Sequence, residues 1–336
     1  MTIKRNIDIA RLTTFGIHAK AAAVVTYSSL EELEQIIADK SLPTPIVHIG
    51  EGSNLLFTDD FPGTLLINEG DSVEFIGLDD NEILVTADAG IPMDLLCGFA
   101  AEFDFWGIEN LSGIPGSVGA AVVQNVGAYG VEFKDVFVEA DAIEVATGKH
   151  RKFTLDEMNY GYRYSLLKSQ EWKGRYFIYR VKFRLSEVPN PKLDYGNLRS
   201  SVGESPTLAE IRKAIITMRD SKLPNPSEYG SAGSFFKNPV VSHSEFERIV
   251  AENPELEIPS YPAPDGIKIP AAFLIDKCGL KGHQLGNASV WHKQPLVIVN
   301  HTGNATGSEI LALERLIVAT VEKRFGITLH PEVEHI

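Results

Sequence analysis

The stretch ENLSGIPGSVGAAVVQNVGAYG, from Glu109 to Gly130, decides how the fold of this chain is interpreted. Its glycines are too closely spaced for a regular helix or a central strand, because glycine loses more conformational freedom on folding than any other residue. The interleaved isoleucine, valine and alanine argue against disorder. We therefore predict an ordered loop whose backbone N–H groups are able to bind an anion.

A second glycine-rich loop, GEGSN from Gly50 to Asn54, follows the short apolar run PIVHIG. A buried strand that leads into a glycine loop is the order that a phosphate-binding loop requires, although the segment alone is also typical of a plain turn. The second loop can close on the same anion as the first, which strengthens the prediction of a phosphate site and leaves a nucleotide-diphosphate cofactor possible. Neither loop matches the dinucleotide-binding or P-loop consensus, so the usual Rossmann and P-loop folds are disfavoured.

The rest of the chain predicts an α+β fold. Residues 136–153 form a hairpin pattern that turns at Thr147–Gly148. Within residues 175–185 an alternation with polar neighbours, as in an antiparallel sheet with one polar face, is formed by Phe177, Tyr179, Val181, Phe183 and Leu185. The proline-containing segment 186–198 is the best linker candidate, and helices alternate with short strands beyond it. A length of 336 residues favours two or more domains.

Composition excludes several classes of function. A formal charge of −14 opposes binding to nucleic acid, whose phosphates need a basic face. The chain contains no apolar run long enough to span a membrane and no secretory signal, so we expect a cytoplasmic protein. Its two cysteines, Cys97 and Cys278, lie in apolar stretches and are predicted to be buried thiols.

Two basic residues are candidate anion ligands. Arg163, between Tyr162 and Tyr164, could pair with a carboxylate or phosphate through two hydrogen bonds, or could simply pack on the neighbouring rings. Lys222, close to two prolines, could be a second anion contact or a solvated lysine.

Ser234, in YGSAGSFFKNP, is the candidate for proton transfer. Gly233 permits unusual backbone angles before it, and Phe235 and Phe236 could form an apolar wall that excludes water. A serine hydroxyl is a poor acid in water and donates its proton only beside a strongly basic centre such as an enolate. The alternatives are a turn residue without chemistry, or an acyl-transfer nucleophile, which the absence of a GxSxG motif disfavours.

Glu332, in the C-terminal segment HPEVEHI, is a further residue of interest. Its neighbours favour a short strand over a frayed tail. His330 and His335 suggest a metal site only weakly, because no cysteine or aspartate cluster accompanies them.

Several segments together resemble a known family. In one order along nearly the whole chain stand GEGSNLL, GIPGSVGAAVVQNVGAYG, YGYRYS, YGNL, KLPNP, GSFFKNP and PEVE. Any one of them occurs by chance, but the ordered set resembles the UDP-N-acetylenolpyruvoylglucosamine reductases of bacterial peptidoglycan synthesis.

The resemblance implies a fold and a division into domains. The expected fold is α+β, with an FAD-binding domain of the vanillyl-alcohol-oxidase or PCMH type over residues 1–200, in subdomains of about 1–68 and 69–200. A substrate-binding α+β domain is expected over residues 205–330, after which the tail 330–336 returns to the first domain.

The resemblance also implies the reaction. NADPH reduces non-covalently bound FAD, hydride passes to C3 of the enolpyruvyl group of a UDP-sugar, and the product is UDP-N-acetylmuramate. A monomer that binds neither nucleic acid nor membrane is expected.

The same resemblance assigns roles to individual residues. Arg163 and Glu332 match the pair that holds and polarises the substrate carboxylate, and Ser234 matches the donor of the proton to C2. Tyr195 matches the tyrosine of a loop that closes over the UDP in one subgroup of the family. The other matched substrate contacts are Lys222, Asn238 and Gln294. The matched cofactor contacts are Gly50, Gly52, Ser53, Asn54, Gly116, Ser117, Val118, Gly119, Gln124, Asn125, Gly127 and Ala128.

Two residues depart from the family pattern, and the chemistry raises one question. Val122 replaces a proline of some relatives, and Asn225 replaces a common aspartate near the expected UDP contact.

An ionised Glu332 would repel the charge that develops on the substrate, so we hypothesise that it is protonated, or becomes so, and donates a hydrogen bond.

Two rival functions remain open from the sequence. A flavin oxidase on the same fold would commonly tether FAD through a histidine or cysteine, and neither glycine loop contains one. A UDP-sugar sensor without turnover would have no need for Arg163, Ser234 and Glu332 together.

Overall fold

The computed structural model describes residues 1–336. The chain forms two compact units, and each unit consists of three segments that alternate along the sequence with those of the other. The first unit consists of Met1–Ile7, Ala21–Glu51 and Pro62–Ser221. The second consists of Asp8–Lys20, Gly52–Phe61 and Lys222–Ile336.

The first unit contains two larger sheets and a small hairpin. A four-stranded sheet has the strand order Thr2–Asp8, Lys20–Tyr27, Phe61–Asn68, Ile46–Ile49, of which the last two strands are parallel. A five-stranded antiparallel sheet has the order His150–Thr154, Phe137–Glu144, Tyr176–Ser186, Glu82–Asp88, Val73–Gly77. The hairpin pairs Gly127–Ala128 with Val131–Glu132.

The predicted alternation in the five-stranded sheet is confirmed only in the second half of Tyr176–Ser186. There Val181, Phe183 and Leu185 are buried and Arg180 and Arg184 are exposed, whereas in the first half Phe177 and Ile178 are both buried. The hairpin before this strand turns where predicted, with Gly148 at φ 72°. Only in this second half does one face pack in the core while the other meets solvent, because Phe177 and Ile178 pack in two different clusters of buried residues.

Two helices of the first unit begin at the capping residues that the spacing S/T-x-x-E indicates. Ser29 accepts a hydrogen bond from the Glu32 N–H, and Thr207 and Glu210 form a reciprocal capping box. The α-helices are Leu30–Ala38, Met93–Glu102, Val118–Gln124, Leu198–Val202 and Leu208–Lys222. Single 3-10 turns span Asp79–Asn81, Glu109–Leu111, Phe133–Asp135 and Leu166–Lys168.

The interpretation of Glu109–Gly130 as free of regular helix is wrong, because the helix Val118–Gln124 lies inside it. Only Gly119 falls within that helix. The helix begins at Ser117, whose side chain accepts from the Ala120 N–H, and ends at Asn125 in the left-handed conformation. The other glycines lie outside the helix Val118–Gln124, so they do not destabilise it.

The second unit is also α+β. Its main antiparallel sheet has the order Gly230–Ser234, Val297–Asn300, Ala288–Val290, Gln284–Leu285. A smaller sheet has the order Val240–Val241, Gly266–Lys268, Tyr261–Ala263, and Glu334–His335 pairs in parallel with Leu55–Leu56. The α-helices are His243–Glu252, Ala271–Lys277 and Gly307–Phe325, and a 3-10 turn spans Ala10–Leu12.

The core of the second unit draws on distant parts of the sequence. Phe15 and Leu56 pack in the same cluster of buried residues as Phe235, Leu313 and Phe325. Cys97 and Cys278 are free thiols, of which the first is buried and the second partly buried. None of the helices is long and apolar enough to cross a membrane.

Candidate active site

The two predicted anion-binding loops meet within the first unit. The strand Ile46–Ile49 ends at Gly50, where an added Cβ would lie 2.5 Å from the Ser117 Oγ. The next residue, Glu51, accepts a hydrogen bond of 2.5 Å from the Gly116 N–H. The sequence-distant loops therefore lie against each other, as the prediction of a shared ligand requires.

Close approach of the backbone explains the glycine in the helical part of the second loop. The Gly119 N–H donates to the Ala89 carbonyl at 2.9 Å, and a Cβ on Gly119 would lie 2.8 Å from the Ala89 Cβ. Any larger side chain would push the helix Val118–Gln124 away from the strand end beneath it.

Charged side chains hold the start of this loop. The Asp94 carboxylate accepts from the Gly113 N–H at 2.6 Å and from two nitrogens of Arg212 at 2.5 and 3.0 Å. Arg219 donates from Nε to the Gly113 carbonyl at 3.0 Å. Burial acts to raise the pKa of Asp94, but the hydrogen bonds from Arg212 and Gly113 outweigh it and hold this pKa below its usual range.

The hairpin after the helix provides the contact to Arg163. Tyr129 and Gly130 form its turn with φ of 48° and 84°, the left-handed angles of a tight two-residue hairpin turn. The Arg163 Nη2 donates to the Gly127 carbonyl at 2.7 Å, and the guanidinium lies 5.4 Å from the centre of the Tyr162 ring. Packing on a ring, which the sequence left as an alternative, thus occurs together with a directed hydrogen bond.

Tyr195 lies near the same hairpin. Its side chain is exposed, and its ring makes an edge contact with Tyr129 at 5.7 Å between centroids. The predicted role of Tyr195 in closing over a UDP group stays a prediction.

Ser234 lies at the end of the strand Gly230–Ser234 in the second unit and is exposed. The left-handed Gly233, at φ 69°, precedes it as expected. The interpretation of Phe235 and Phe236 as an apolar wall beside Ser234 is wrong, because the two residues are 0% and 1% exposed and pack in the core. The two rings anchor the segment that carries the hydroxyl.

The Glu332 segment pairs with the segment that follows Ser234. The Glu332 N–H donates to the Phe235 carbonyl at 2.8 Å, and the Lys237 N–H donates to the His330 carbonyl at 2.9 Å. The Asn54 side chain donates to the Glu332 carbonyl at 3.0 Å. Ser234, Glu332 and the second half of the GEGSN loop are therefore neighbours within this unit.

The predicted substrate contacts of the second unit lie around the same strand. The Phe235 N–H donates to the Leu296 carbonyl at 2.8 Å, two residues after Gln294. Lys222 ends the helix Leu208–Lys222, and its carbonyl accepts from the Trp291 indole at 3.0 Å. Asn238 caps the helix Ala271–Lys277 by accepting from the Ala271 N–H at 2.9 Å.

The two glycine loops fit an anionic group such as a diphosphate. The Gly116 N–H already binds an anionic oxygen, that of Glu51. Gly50 and Gly119 are positions where a Cβ would meet Ser117 and Ala89, so these glycines let the loops pack closely. Backbone N–H groups of such loops can be ligands for phosphate oxygens regardless of net charge.

The sequence did not indicate several residues of this site. Asp94, Arg212 and Arg219 gave no local signal, because their meeting depends on two helices that are distant in sequence. His48, just before the first loop, contacts the Tyr27 hydroxyl at 3.1 Å, and burial lowers its pKa to about 4. Its position inside the apolar run PIVHIG could have identified it as a partly buried histidine.

Two family models match the chain. One, described as the C-terminal domain of UDP-N-acetylenolpyruvoylglucosamine reductase, matches residues 225–336. The other, described as an FAD binding domain, matches residues 21–154.

Similar proteins cover the whole chain. A Bacteroides fragilis protein named UDP-N-acetylenolpyruvoylglucosamine reductase is 43% identical over 326 residues, which are 96% of this chain and 97% of the relative. A protein of the same name from Porphyromonas gingivalis is 42% identical over 344 aligned positions that cover 100% of both chains. The solved UDP-N-acetylenolpyruvylglucosamine reductase of Thermus caldophilus has a TM-score of 0.70 at 24% identity, covering 100% of this chain and 99% of that one.

Proposed function

The chain belongs to the UDP-N-acetylenolpyruvoylglucosamine reductase family, and from this premise we propose that it uses NADPH to reduce the enolpyruvyl group of a UDP-sugar to a lactyl ether. It is a flavoprotein oxidoreductase of peptidoglycan synthesis, a UDP-N-acetylmuramate dehydrogenase, with FAD as its cofactor. Its fold combines a PCMH-type FAD-binding domain with the C-terminal α+β domain of the family. The domain bounds of 1–200 and 205–330, the cytoplasmic location and the monomeric state remain proposals.

We propose that the diphosphate of FAD is held by the two glycine loops. The contact between Gly50 and Ser117 and the anionic oxygen bound at Gly116 support this assignment. When bound, FAD supplies the hydride that reaches C3 of the substrate, after receiving it from NADPH.

Arg163 is proposed to bind the substrate carboxylate. After hydride reaches C3, negative charge at C2 spreads into that carboxylate, and a fixed guanidinium stabilises the charge as it grows. The hydrogen bond from Arg163 to the Gly127 carbonyl supports this role, because it restricts the orientation of the planar group.

Ser234 is proposed to donate the proton to C2, and Glu332 to donate a hydrogen bond to the substrate carboxylate from its protonated form. The single observation that carries the proposal is the pairing of their two segments through the Glu332 N–H and the Phe235 carbonyl. This backbone bond supports the proposal because it joins the segments that carry the hydroxyl and the carboxyl, and a two-point contact with one small substrate group requires both segments nearby.

An anaerobic absorption titration tests the proposed reaction. We expect the purified protein to carry the yellow flavin band, NADPH to bleach it, and the enolpyruvyl UDP-sugar to restore it without oxygen. Restoration only when oxygen is admitted would favour the oxidase, and no bleaching by NADPH would favour a sensor. Acid precipitation separates the oxidase further, since tethered flavin would remain in the pellet.

A further inference from the structure

Arg163 lies in a strained two-residue turn. Gly161 and Tyr164 exchange backbone hydrogen bonds of 3.0 and 3.1 Å, which leaves Tyr162 and Arg163 as the central residues. Arg163 has a φ of 54°, in the left-handed region that side chains other than glycine and asparagine rarely adopt. Such a conformation persists only where the surroundings hold it in place.

The buried side chain of Asn125 binds this turn. Asn125 is 0% exposed and ends the helix Val118–Gln124. Its Nδ2 donates to the Gly161 carbonyl at 3.0 Å and to the Glu132 carboxylate at 2.9 Å, while its Oδ1 accepts from the Lys134 N–H at 3.0 Å. Both amide protons and the carbonyl oxygen thus have protein partners, and these partners also fix which end of the amide is nitrogen.

Two further bonds connect the same helix end with the same turn. The Ser165 Oγ donates to the Val123 carbonyl at 2.6 Å. The Arg163 Nη2 donates to the Gly127 carbonyl at 2.7 Å, two residues after Asn125. Hydrogen bonds therefore connect the turn with the end of the helix Val118–Gln124 and the residues after it at three points: Gly161, Arg163 and Ser165.

We propose that Asn125 is a positioning residue for Arg163: its side-chain amide sets the turn that aims the guanidinium, and it does not contact the cofactor. The proposal rests on the proposed role of Arg163 in binding the substrate carboxylate. It differs from the sequence-based assignment of Asn125 to the flavin contacts, because the side-chain amide already has three protein partners.

Asparagine suits this position for a chemical reason. Aspartate would keep an acceptor for the Lys134 N–H but would place a second carboxylate oxygen against Glu132 and against the Gly161 carbonyl. Leucine would have similar volume and would remove the hydrogen bonds that Asn125 makes to all three partners. Only an amide donates twice and accepts once in this geometry.

The test compares Asn125→Asp with Arg163→Lys and with the double variant, by rapid mixing of each half-reaction. We expect Asn125→Asp to leave flavin affinity and the reduction by NADPH within about twofold of the parent. We expect it to slow reoxidation by the UDP-sugar by about 10–100-fold, the effect of a misplaced catalytic group. In the Arg163→Lys background the same change should add little, since both act through one group.

A second substitution and a matched control protect the test from misfolding. Ser165→Ala removes the hydrogen bond from the Ser165 hydroxyl to the Val123 carbonyl without any change of charge. It should also slow reoxidation, by a smaller factor than Asn125→Asp. Asn253→Asp alters another buried asparagine, whose Nδ2 donates to the Ile249 carbonyl at 2.8 Å, and should leave both half-reactions unchanged.

The outcomes separate this inference from the proposed function. A weaker flavin affinity of Asn125→Asp, with both half-reactions slowed alike, would make Asn125 a cofactor contact and overturn the inference. So would additive effects in the double variant, or a slow Arg163→Lys beside a normal Asn125→Asp. A normal Arg163→Lys would instead overturn the proposed role of Arg163, on which the inference depends.

Discussion

Glu332 donates its backbone N–H to the carbonyl oxygen of Phe235 at 2.8 Å, although the two residues lie far apart in the chain. Phe235 directly follows Ser234, so this bond sets the register between the segment with the hydroxyl and the segment with the carboxyl. The Asn54 side chain, which donates to the Glu332 carbonyl at 3.0 Å, ties the first glycine loop to the same place. The C-terminal segment is therefore a structural part of the proposed site.

Glu314 contacts His335 of this C-terminal segment. Replacing Glu314 should change the free energy of unfolding by an amount that depends on pH. Its Oε2 is 3.3 Å from the His335 Nε2 and makes no hydrogen bond, and the side chain is 12% exposed. Burial raises the pKa of Glu314, an effect that His335 and Arg315 only partly offset.

A raised carboxyl pKa means that the folded chain binds the proton more tightly than the unfolded chain, so this residue costs stability as pH rises above its unfolded pKa of about 4.3. Glu314→Gln should therefore raise the free energy of unfolding by about 1 kcal/mol near pH 8, and the gain should vanish below about pH 4. Urea unfolding at both pH values measures it. A destabilised variant near pH 8 would show that the pair with His335 is net favourable.

Gly119→Ala should loosen the second glycine loop. The new Cβ would lie 2.8 Å from the Ala89 Cβ and 3.2 Å from the Ala89 carbonyl oxygen, so the helix must shift at a cost of about 1–3 kcal/mol. We expect a lower melting temperature and weaker flavin binding, measured by thermal unfolding and by flavin fluorescence titration.

Gly77→Ala is the matched control, since a Cβ there meets nothing within 4 Å and its backbone is not left-handed. Equal stability and flavin affinity for Gly119→Ala and Gly77→Ala would refute the argument from close packing.

Asp94→Asn should destabilise the first unit in a way that depends on pH. Hydrogen bonds from Arg212 and Gly113 hold the pKa of Asp94 below its usual range in spite of burial. The stability this carboxylate contributes is therefore present above its unfolded pKa of about 3.9 and is lost as pH falls through its lower folded pKa. Because Asp94 is 40% exposed, we expect a loss of only about 1 kcal/mol at neutral pH.

Denaturant unfolding of Asp94→Asn across this pH range measures the difference from the parent protein. Glu102→Gln, at an exposed position of the same helix, is the control. The account fails if the difference persists unchanged in acid, or if Glu102→Gln shows the same loss.

Local patterns predicted much of the fold. Three features depend on residues only a few positions apart: the capping box of Thr207 and Glu210, the turn at Gly148, and the alternation from Arg180 to Leu185. The interactions that stabilise these features are local, so a short stretch of sequence is enough to predict them.

The relations that failed or were missed depend on distant residues. Nothing near Asp8–Lys20 or Gly52–Phe61 indicates that these segments pack with Lys222–Ile336. Phe235 and Phe236 follow a flexible glycine, but whether they face a site or a core is decided by Phe15 and the other residues packed against them. Asp94 and Arg212 are 118 residues apart, and only the packing of their two helices brings them together.

The most direct test of the central claim is the rate of each half-reaction in Ser234→Ala. If Ser234 donates the proton to C2, reduction of the flavin by NADPH should be unchanged, whereas its reoxidation by the enolpyruvyl UDP-sugar should slow by about 10²–10⁴-fold. Ser231→Ala, the same change three residues earlier in the strand Gly230–Ser234, should leave both rates intact. Equal slowing of the two half-reactions in Ser234→Ala, or a normal reoxidation rate, would contradict the assignment.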